Sequence, residues 1–171
     1  MLCFAYGSNM STQRLAARIP ARVVTTALLP AYRLAFHQRS GDGSGKCDIV
    51  PASEQSAVYG VIWEVASHHK PTLDRYEGLG VAYNETWLTV TDMASDRQFE
   101  VQAYVGNVTA LGIRPYTWYK HHVLAGAREH GLPAYYIRAL ERIEAHHDPD
   151  TERHAREMAL HGEAEPLVRG A

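Results

Sequence analysis

The chain has 171 residues, of which 46% are hydrophobic and 21% charged, and its formal charge at pH 7 is −2. These values are typical of one soluble globular domain, and the charge excludes long-range attraction to nucleic acid or to an anionic membrane. No apolar run reaches the length of a transmembrane helix, and the N-terminus lacks the basic region of a signal peptide. We therefore expect a cytoplasmic protein with no nucleic-acid partner and no membrane partner.

The first informative segment is the loop FAYGSNM at residues 4–10, between an apolar strand and a short helix over 11–18. Gly7 lets the backbone approach a ligand closely, and Ser8 and Asn9 offer side-chain donors. The peptide N–H groups of such a turn can bind a carboxylate or a developing oxyanion. Ser and Asn are also favoured as ordinary helix caps, so the loop alone leaves both interpretations open.

Short strands dominate the next hundred residues. Gly60, inside the longest early strand, indicates a bulge or a close backbone approach, and a glycine-rich loop occupies 40–46. A helix over 67–76 is followed by two alternating strands that should pair in antiparallel fashion. The predicted strands are 2–5, 22–29, 32–37, 47–50, 57–65, 84–91 and 98–105.

From Pro115 the sequence becomes helical, with a first helix that ends near Gly131 and a second over 133–146. After Asp148 the sequence is charged and lacks an apolar stripe. We therefore predict one domain over 1–147, and a charged tail over 148–171 that is either a peripheral helix or disordered. Strands early and helices late favour an α+β fold with a closed or strongly curved sheet.

Glu77 is the carboxylate that the sequence singles out. It ends a predicted helix beside the glycines of the segment EGLG, and its neighbours are apolar and aromatic, which favours a water-poor setting. A carboxyl group in such a setting can take a proton from an amine and later return it. Glu64 and Glu85 are rivals, but both lie at strand positions where solvation is expected.

Other catalytic chemistries have weak support. The histidines come as adjacent pairs, and neighbours on a helix point about 100° apart, so no pair presents two ligands to one metal. Cys3 and Cys47 sit in apolar segments and are expected to be buried free thiols. No GxSxG motif occurs. We predict neither a metal nor a cofactor.

Taken together, the residues resemble the γ-glutamylcyclotransferase family, whose fold is also called cyclotransferase-like or AIG2-like. The matching pieces span residues 2 to about 147, and the order and spacing of YGSN and the EG dipeptide are specific. The pieces are FAYGSNM (4–10), CDIVP (47–51), AVYGVIWEV (57–65), LDRYEG (73–78), AYNE (82–85) and YKHHVLAGAREHGLPAYYIRALERIE (119–144).

The resemblance implies a small curved mixed sheet, barrel-like, with helices packed around a single cavity. It implies that backbone amides of the YGSN loop hold the glutamyl end of the substrate and that Glu77 is the catalytic glutamate. The substrate-binding residues that it implies are Tyr6, Gly7, Ser8, Asn9, Met10, Tyr83 and Tyr119.

The expected function is conversion of a small-molecule γ-glutamyl amide into 5-oxoproline and a free amine. The α-amine attacks the γ-carbonyl within one molecule, and a glutamate serves as general acid and base. Two alternatives stay open: a binding module for a γ-glutamyl or amino-acid-like ligand, and an amidohydrolase or acyltransferase that uses the same pocket. The leaving amine and the oligomeric state are not readable from the residues, and a homodimer is one of the states considered.

Overall fold

Seven strands and five α-helices make up the part of the chain that this computed structural model describes, residues 1–162. Short 3-10 turns occupy Ser8–Met10 and Ser67–His69. The strands are β1 (Leu2–Ala5), β2 (Arg22–Pro30), β3 (Tyr32–Arg39), β4 (Gly45–Pro51), β5 (Ala57–Glu64), β6 (Tyr83–Asp92) and β7 (Gln98–Gly106). The helices are α1 (Thr12–Ala16), α2 (Lys70–Glu77), α3 (Thr117–Glu129), α4 (Ala134–Glu141) and α5 (Thr151–Ala159).

Five strands close into a barrel in the order β1-β5-β2-β6-β7, and β3 and β4 form a separate two-stranded sheet. All neighbours in the barrel are antiparallel except β1 and β7, which close it as a parallel pair through Cys3 and Gln102. The predicted α+β fold with a small curved mixed sheet is therefore confirmed. The predicted antiparallel pairing of β6 with β7 is also confirmed.

Gly60 marks a close approach of two strands. A Cβ atom at this position would lie 2.3 Å from the carbonyl oxygen of Ala5 and 2.7 Å from the ring of Phe4. Any side chain there would push β1 away from β5 and distort the strand that leads into the YGSN loop. Of the two predicted reasons for this glycine, the close backbone approach is the correct one, because β1 and β5 pair without a register shift and the shift between β2 and β5 lies at Val23 and Thr25, away from Gly60.

A second glycine brings α3 onto the turn that follows β1. A Cβ atom on Gly126 would lie 2.4 Å from the amide nitrogen of Ser11 and 2.5 Å from the carbonyl carbon of Met10. Met10 itself is fully buried. The backbone of the turn is therefore fixed by direct contact with a helix more than a hundred residues later in the chain.

The second late helix is shorter than predicted. Helix α4 ends at Glu141, whereas the sequence pattern extended it to residue 146. Lys120 Nζ donates hydrogen bonds of 2.7 Å to the carbonyl oxygens of Glu141 and Ile143. These bonds take the place of the amide donors that a further helical turn would supply. His146 instead forms a backbone bridge with the residues that begin α3.

The C-terminal segment packs against α3. Asp148 is fully buried, accepts a hydrogen bond of 2.7 Å from Trp118 Nε1 and forms an ion pair with Arg153 of α5. Of the predicted tail, 151–159 is a helix, and 163–171 lies outside the described residues. The domain boundary at residue 147 remains a prediction.

No helix within residues 1–162 combines the length and the apolar character needed to cross a membrane. The cytoplasmic location remains a prediction.

His122 gives the contact between α3 and α5 a pH dependence. It is fully buried, with one ring nitrogen 3.0 Å from Glu157 and the other 2.6 Å from His161. Burial lowers the pKa of His122 from 6.5 to about 4. Because the unfolded chain binds a proton on this ring at a higher pH than the folded protein does, the free energy of unfolding falls as the pH drops from 6.5 towards 4.

When the pH falls from 7 to 5, we expect protonation linked to His122 to lower the free energy of unfolding of the wild type by about 2 kcal/mol. Urea titrations at the two pH values measure this loss. The variant His122→Gln has no proton to take up there and should lose correspondingly less, while the exposed His68→Gln should behave like the wild type. Identical pH dependence in His122→Gln and the wild type would contradict the assignment.

Candidate active site

One cavity collects most of the residues that the sequence singled out. It encloses about 540 Å³ of empty space, including its mouth, and seven of the eight predicted site residues line it. Met10 is the exception, because it is buried against α3. The lining residues from the prediction are Tyr6, Gly7, Ser8, Asn9, Glu77, Tyr83 and Tyr119.

The rest of the lining is largely apolar. Phe4, Leu15, Trp63, Val65 and Leu73 contribute to it from β1, α1, β5 and α2 or their ends. Among the described residues, Glu77 is the only acidic or basic side chain in the lining. Such a combination of apolar walls and a few convergent polar groups is typical of a small-molecule site.

The YGSN loop turns tightly and leaves some of its polar groups for other partners. The turn's own backbone hydrogen bonds run from Met10 N to Gly7 O and from Ser11 N to Ser8 O, at 3.0 and 3.2 Å. The amides of Ser8 and Asn9 precede these donors and are not used in the turn. Ser11 caps α1, since its hydroxyl accepts from the Arg14 amide at 3.3 Å, so the side chain of Asn9 is free to turn towards the cavity.

Glu77 is the last residue of α2, and Gly78 ends the helix in a left-handed conformation with φ of 64°. The side chain of Glu77 is only 14% exposed. Asn9 Nδ2 donates to Glu77 Oε1 at 2.7 Å, so the predicted juxtaposition of Glu77 and the loop is present. Glu77 is therefore not an exposed surface glutamate, although it lies at a helix end.

Arg18 is a member of the site that the sequence reasoning missed. Its Nη1 donates to Glu77 Oε1 at 2.9 Å and to Asn9 Oδ1 at 3.0 Å. The sequence suggests apolar surroundings for Glu77, but the structure adds a guanidinium. No local signal in the sequence points to this contact, because Arg18 and Glu77 are 59 residues apart.

The rival glutamates lie elsewhere. Glu64 forms an exposed ion pair with Arg22, and Glu85 contacts Lys70 and Gln102 near the surface. Neither lines the cavity.

Two tyrosine hydroxyls bracket the backbone of Cys47 in β4. Tyr83 Oη donates to the Cys47 carbonyl oxygen at 2.9 Å, and the Cys47 amide donates to Tyr119 Oη at 3.1 Å. Burial raises the pKa of both tyrosines well above 10, so both hydroxyls keep their protons at neutral pH. Tyr83 donates its hydroxyl proton to the Cys47 carbonyl oxygen, whereas Tyr119 accepts from the Cys47 amide and also interacts with the Cys47 thiol.

A third tyrosine, Tyr6, donates to the carbonyl oxygen of Tyr104, which is a further cavity residue. The hydroxyl of Tyr104 in turn donates to Asp74 Oδ1 at 2.6 Å. These contacts attach the start of the loop to β7 and to α2.

Cys3 and Cys47 are buried free thiols, as predicted. Burial raises the pKa of Cys3 to about 11 and that of Cys47 to about 12, so neither is a thiolate at neutral pH. A cysteine nucleophile is therefore inconsistent with this cavity. Within residues 1–162 no three His, Cys, Asp or Glu side chains are arranged to hold a metal ion.

A bovine protein named gamma-glutamylcyclotransferase is 30% identical to this chain over 153 residues, which cover 84% of this chain and 78% of that protein. The chain belongs to the γ-glutamylcyclotransferase family. A human γ-glutamylcyclotransferase is 28% identical over 148 residues and covers the same shares of the two chains. The AIG2-like family model matches residues 57–140, which include Glu77, Tyr83 and Tyr119.

Solved structures agree with this family assignment. A structure titled gamma-glutamyl cyclotransferase superposes with a TM-score of 0.79 at 28% identity and covers 85% of this chain and 88% of its own. A yeast γ-glutamyl cyclotransferase described as specific to glutathione has a TM-score of 0.60 at 12% identity, covering 82% of this chain and 93% of its own. At that identity the likeness shows the fold alone. The γ-glutamylcyclotransferase family is a family of enzymes, and this chain is therefore an enzyme.

Gly7 tests whether the loop is held as tightly as its contacts indicate. A Cβ atom there would lie 3.0 Å from Cys47 Cβ and 3.1 Å from Tyr119 Oη. We expect Gly7→Val to lower the free energy of unfolding by about 1–3 kcal/mol through overpacking, measured by urea titration. The matched control is Gly41→Val, because a Cβ atom at Gly41 would meet nothing within 4 Å. Equal stability of the two variants would show that the loop accommodates a side chain at Gly7.

Proposed function

We propose that this protein converts a γ-glutamyl amide into 5-oxoproline and a free amine, with Glu77 as the general acid and base. One observation carries the proposal. The carboxylate of Glu77, whose side chain is 14% exposed, lies 2.7 Å from Asn9 of the YGSN loop, in a cavity where it is the only acidic or basic lining side chain among the described residues. A single proton-transferring group therefore faces a backbone turn suited to an anionic ligand.

The first step forms the ring. The neutral α-amine of the substrate attacks its own γ-carbonyl carbon, and Glu77 takes one proton from the attacking nitrogen as the new N–C bond forms. The π electron pair of the carbonyl moves onto its oxygen in this step and re-forms the C=O bond when the leaving nitrogen departs. Asn9 and Arg18 both contact Oε1, so Oε2 is the oxygen that receives this proton. Because both reacting groups belong to one molecule, the pocket needs only to enforce the folded geometry, which is worth about 7–11 kcal/mol of the barrier.

The second step releases the amine. The bond between the γ-carbon and the leaving nitrogen breaks, and its electron pair stays on that nitrogen. Glu77 returns the proton from Oε2 to the same nitrogen. The proton lost by the attacking amine thus ends on the leaving amine, no water is consumed, and Glu77 regains its starting charge.

The YGSN loop supplies hydrogen-bond donors for the anionic groups of the substrate. We assign the amides of Gly7, Ser8 and Asn9 to the glutamyl end, where they bind the α-carboxylate or the oxyanion that develops on the γ-carbonyl. Tyr119 supports this assignment, since its hydroxyl lies 3.1 Å from the position of a Cβ on Gly7 and therefore borders the loop. Tyr6 and Tyr83 form walls of the pocket.

The substrate is identified by its product. A panel of γ-glutamyl dipeptides and γ-glutamylamines is incubated with the protein, and the products are followed by mass spectrometry. Formation of 5-oxoproline supports the proposal and names the preferred leaving amine. Glutamate as the product would instead indicate an amidohydrolase, and no turnover with measurable binding would indicate a binding module.

Replacement of the proposed acid and base provides a second test. Glu77→Gln keeps the side-chain size and the contact to Asn9 but removes the group that exchanges the proton. We expect turnover to fall by about 10²–10⁴-fold, measured as 5-oxoproline formed at saturating substrate. Glu64→Gln is the matched control, since Glu64 lies in an exposed ion pair outside the cavity. Near-wild-type turnover of Glu77→Gln would eliminate the mechanism.

A further inference from the structure

We propose that Arg18 is a positioning residue for Glu77, which holds the carboxylate through Oε1 so that only Oε2 exchanges a proton with the substrate. This inference rests on the proposed function of Glu77. It adds a role for a residue that lies outside the matched motifs and outside the cavity lining.

The contacts form a closed triangle of three side chains. Arg18 Nη1 donates to Glu77 Oε1 at 2.9 Å and to Asn9 Oδ1 at 3.0 Å, and Asn9 Nδ2 donates to the same Glu77 oxygen at 2.7 Å. Each side chain thereby fixes the other two. Because the hydrogen bonds that residues 1–162 donate to this carboxylate all go to Oε1, its plane is set and Oε2 is directed away from the triangle.

Arg18 is itself held in place. Its amide donates to the Leu15 carbonyl oxygen at 2.9 Å just after α1, and its side chain is only 13% exposed. The guanidinium carbon lies 5.2 Å from the ring centroid of Tyr76, which is the residue before Glu77. Arg18 thus contacts two successive residues of α2, so a rigid scaffold supports the geometry around the carboxylate.

The ion pair between Arg18 and Glu77 affects proton transfer because the other groups that face Glu77 are neutral or paired elsewhere. Arg14, one turn earlier on α1, also faces Glu77 but is paired with Glu157 of α5. The other titratable groups that face Glu77 come from the YGSN loop, β6, β7 and α3, and burial raises the pKa of each, so they are neutral at pH 7. They are Tyr6, Tyr83, Tyr104 and Tyr119.

Arg18 is therefore the cation in direct contact with Glu77. An opposite charge at hydrogen-bond distance favours the ionised carboxylate, which is the form that can accept a proton from the attacking amine. A fixed plane also keeps Oε2 aligned with both nitrogens of the reaction, and misplacement of a reacting group by about 1 Å can cost 10²-fold in rate.

The test compares Arg18→Gln with Arg18→Lys. The control variant is Arg22→Gln, because Arg22 forms an exposed ion pair with Glu64. For Arg18→Gln we expect kcat to fall about 10–100-fold with KM nearly unchanged. Arg18→Lys keeps the charge but loses the planar guanidinium, so we expect a smaller fall in kcat, again with KM nearly unchanged. Arg22→Gln should match the wild type in both measurements.

A measurement without turnover separates this inference from the proposed function. The Glu77 carboxyl carbon is followed by ¹³C NMR in wild type and Arg18→Gln, with the signal assigned through Glu77→Gln. A changed chemical shift of this carbon at pH 7 in Arg18→Gln supports the pairing. An unchanged chemical shift together with an unchanged kcat overturns the inference, even if the wild type forms 5-oxoproline. If Arg18→Gln does not fold, Arg18→Lys decides the question: a lowered kcat at nearly unchanged KM supports the inference, and a wild-type kcat overturns it.

Discussion

The hydrogen bond from Asn9 to Glu77 is the contact on which the site depends, because it joins a loop and a helix end that are 68 residues apart. Each partner is placed by a separate backbone device. Ser11, and not Asn9, caps α1, so the side-chain amide of Asn9 is available to Glu77. Gly78 ends α2 in a left-handed conformation directly after Glu77, which keeps the carboxylate beside the loop.

The scaffold around this contact is tightly packed because three glycines let the backbone come close to neighbouring backbone or side-chain atoms. Gly60 lets β1 lie against β5, Gly126 lets α3 lie on the turn after β1, and Gly7 lets the loop lie against Cys47. The hydroxyls of Tyr83 and Tyr119 hold Cys47 from both sides. A larger residue at any of these glycines would move the loop, since close-packed interiors do not absorb added volume freely.

Arg14 and Arg18, one helical turn apart, each form an ion pair with a different glutamate. Arg14 pairs with Glu157 of α5, and Arg18 pairs with Glu77 at the cavity. Both pairs are mostly buried, where removal of one partner leaves an uncompensated charge and is strongly destabilising. Helix α1 has only five residues, yet the segment that contains it is attached to α5 by one ion pair and to the cavity by the other.

The sequence alone determined the α+β class, most strand positions, the YGSN loop and the place of Glu77 at a helix end, since these depend on local periodicity, on glycine and on motif order. Only the tertiary structure decided that Arg18 joins Glu77, that Met10 belongs to the core and that α4 ends at Glu141. The physical reason is range: a local pattern reports neighbours within a turn or a strand, whereas these outcomes depend on side chains brought together from distant segments. A charged residue at the end of a short helix looks the same in sequence whether it faces water or a buried carboxylate.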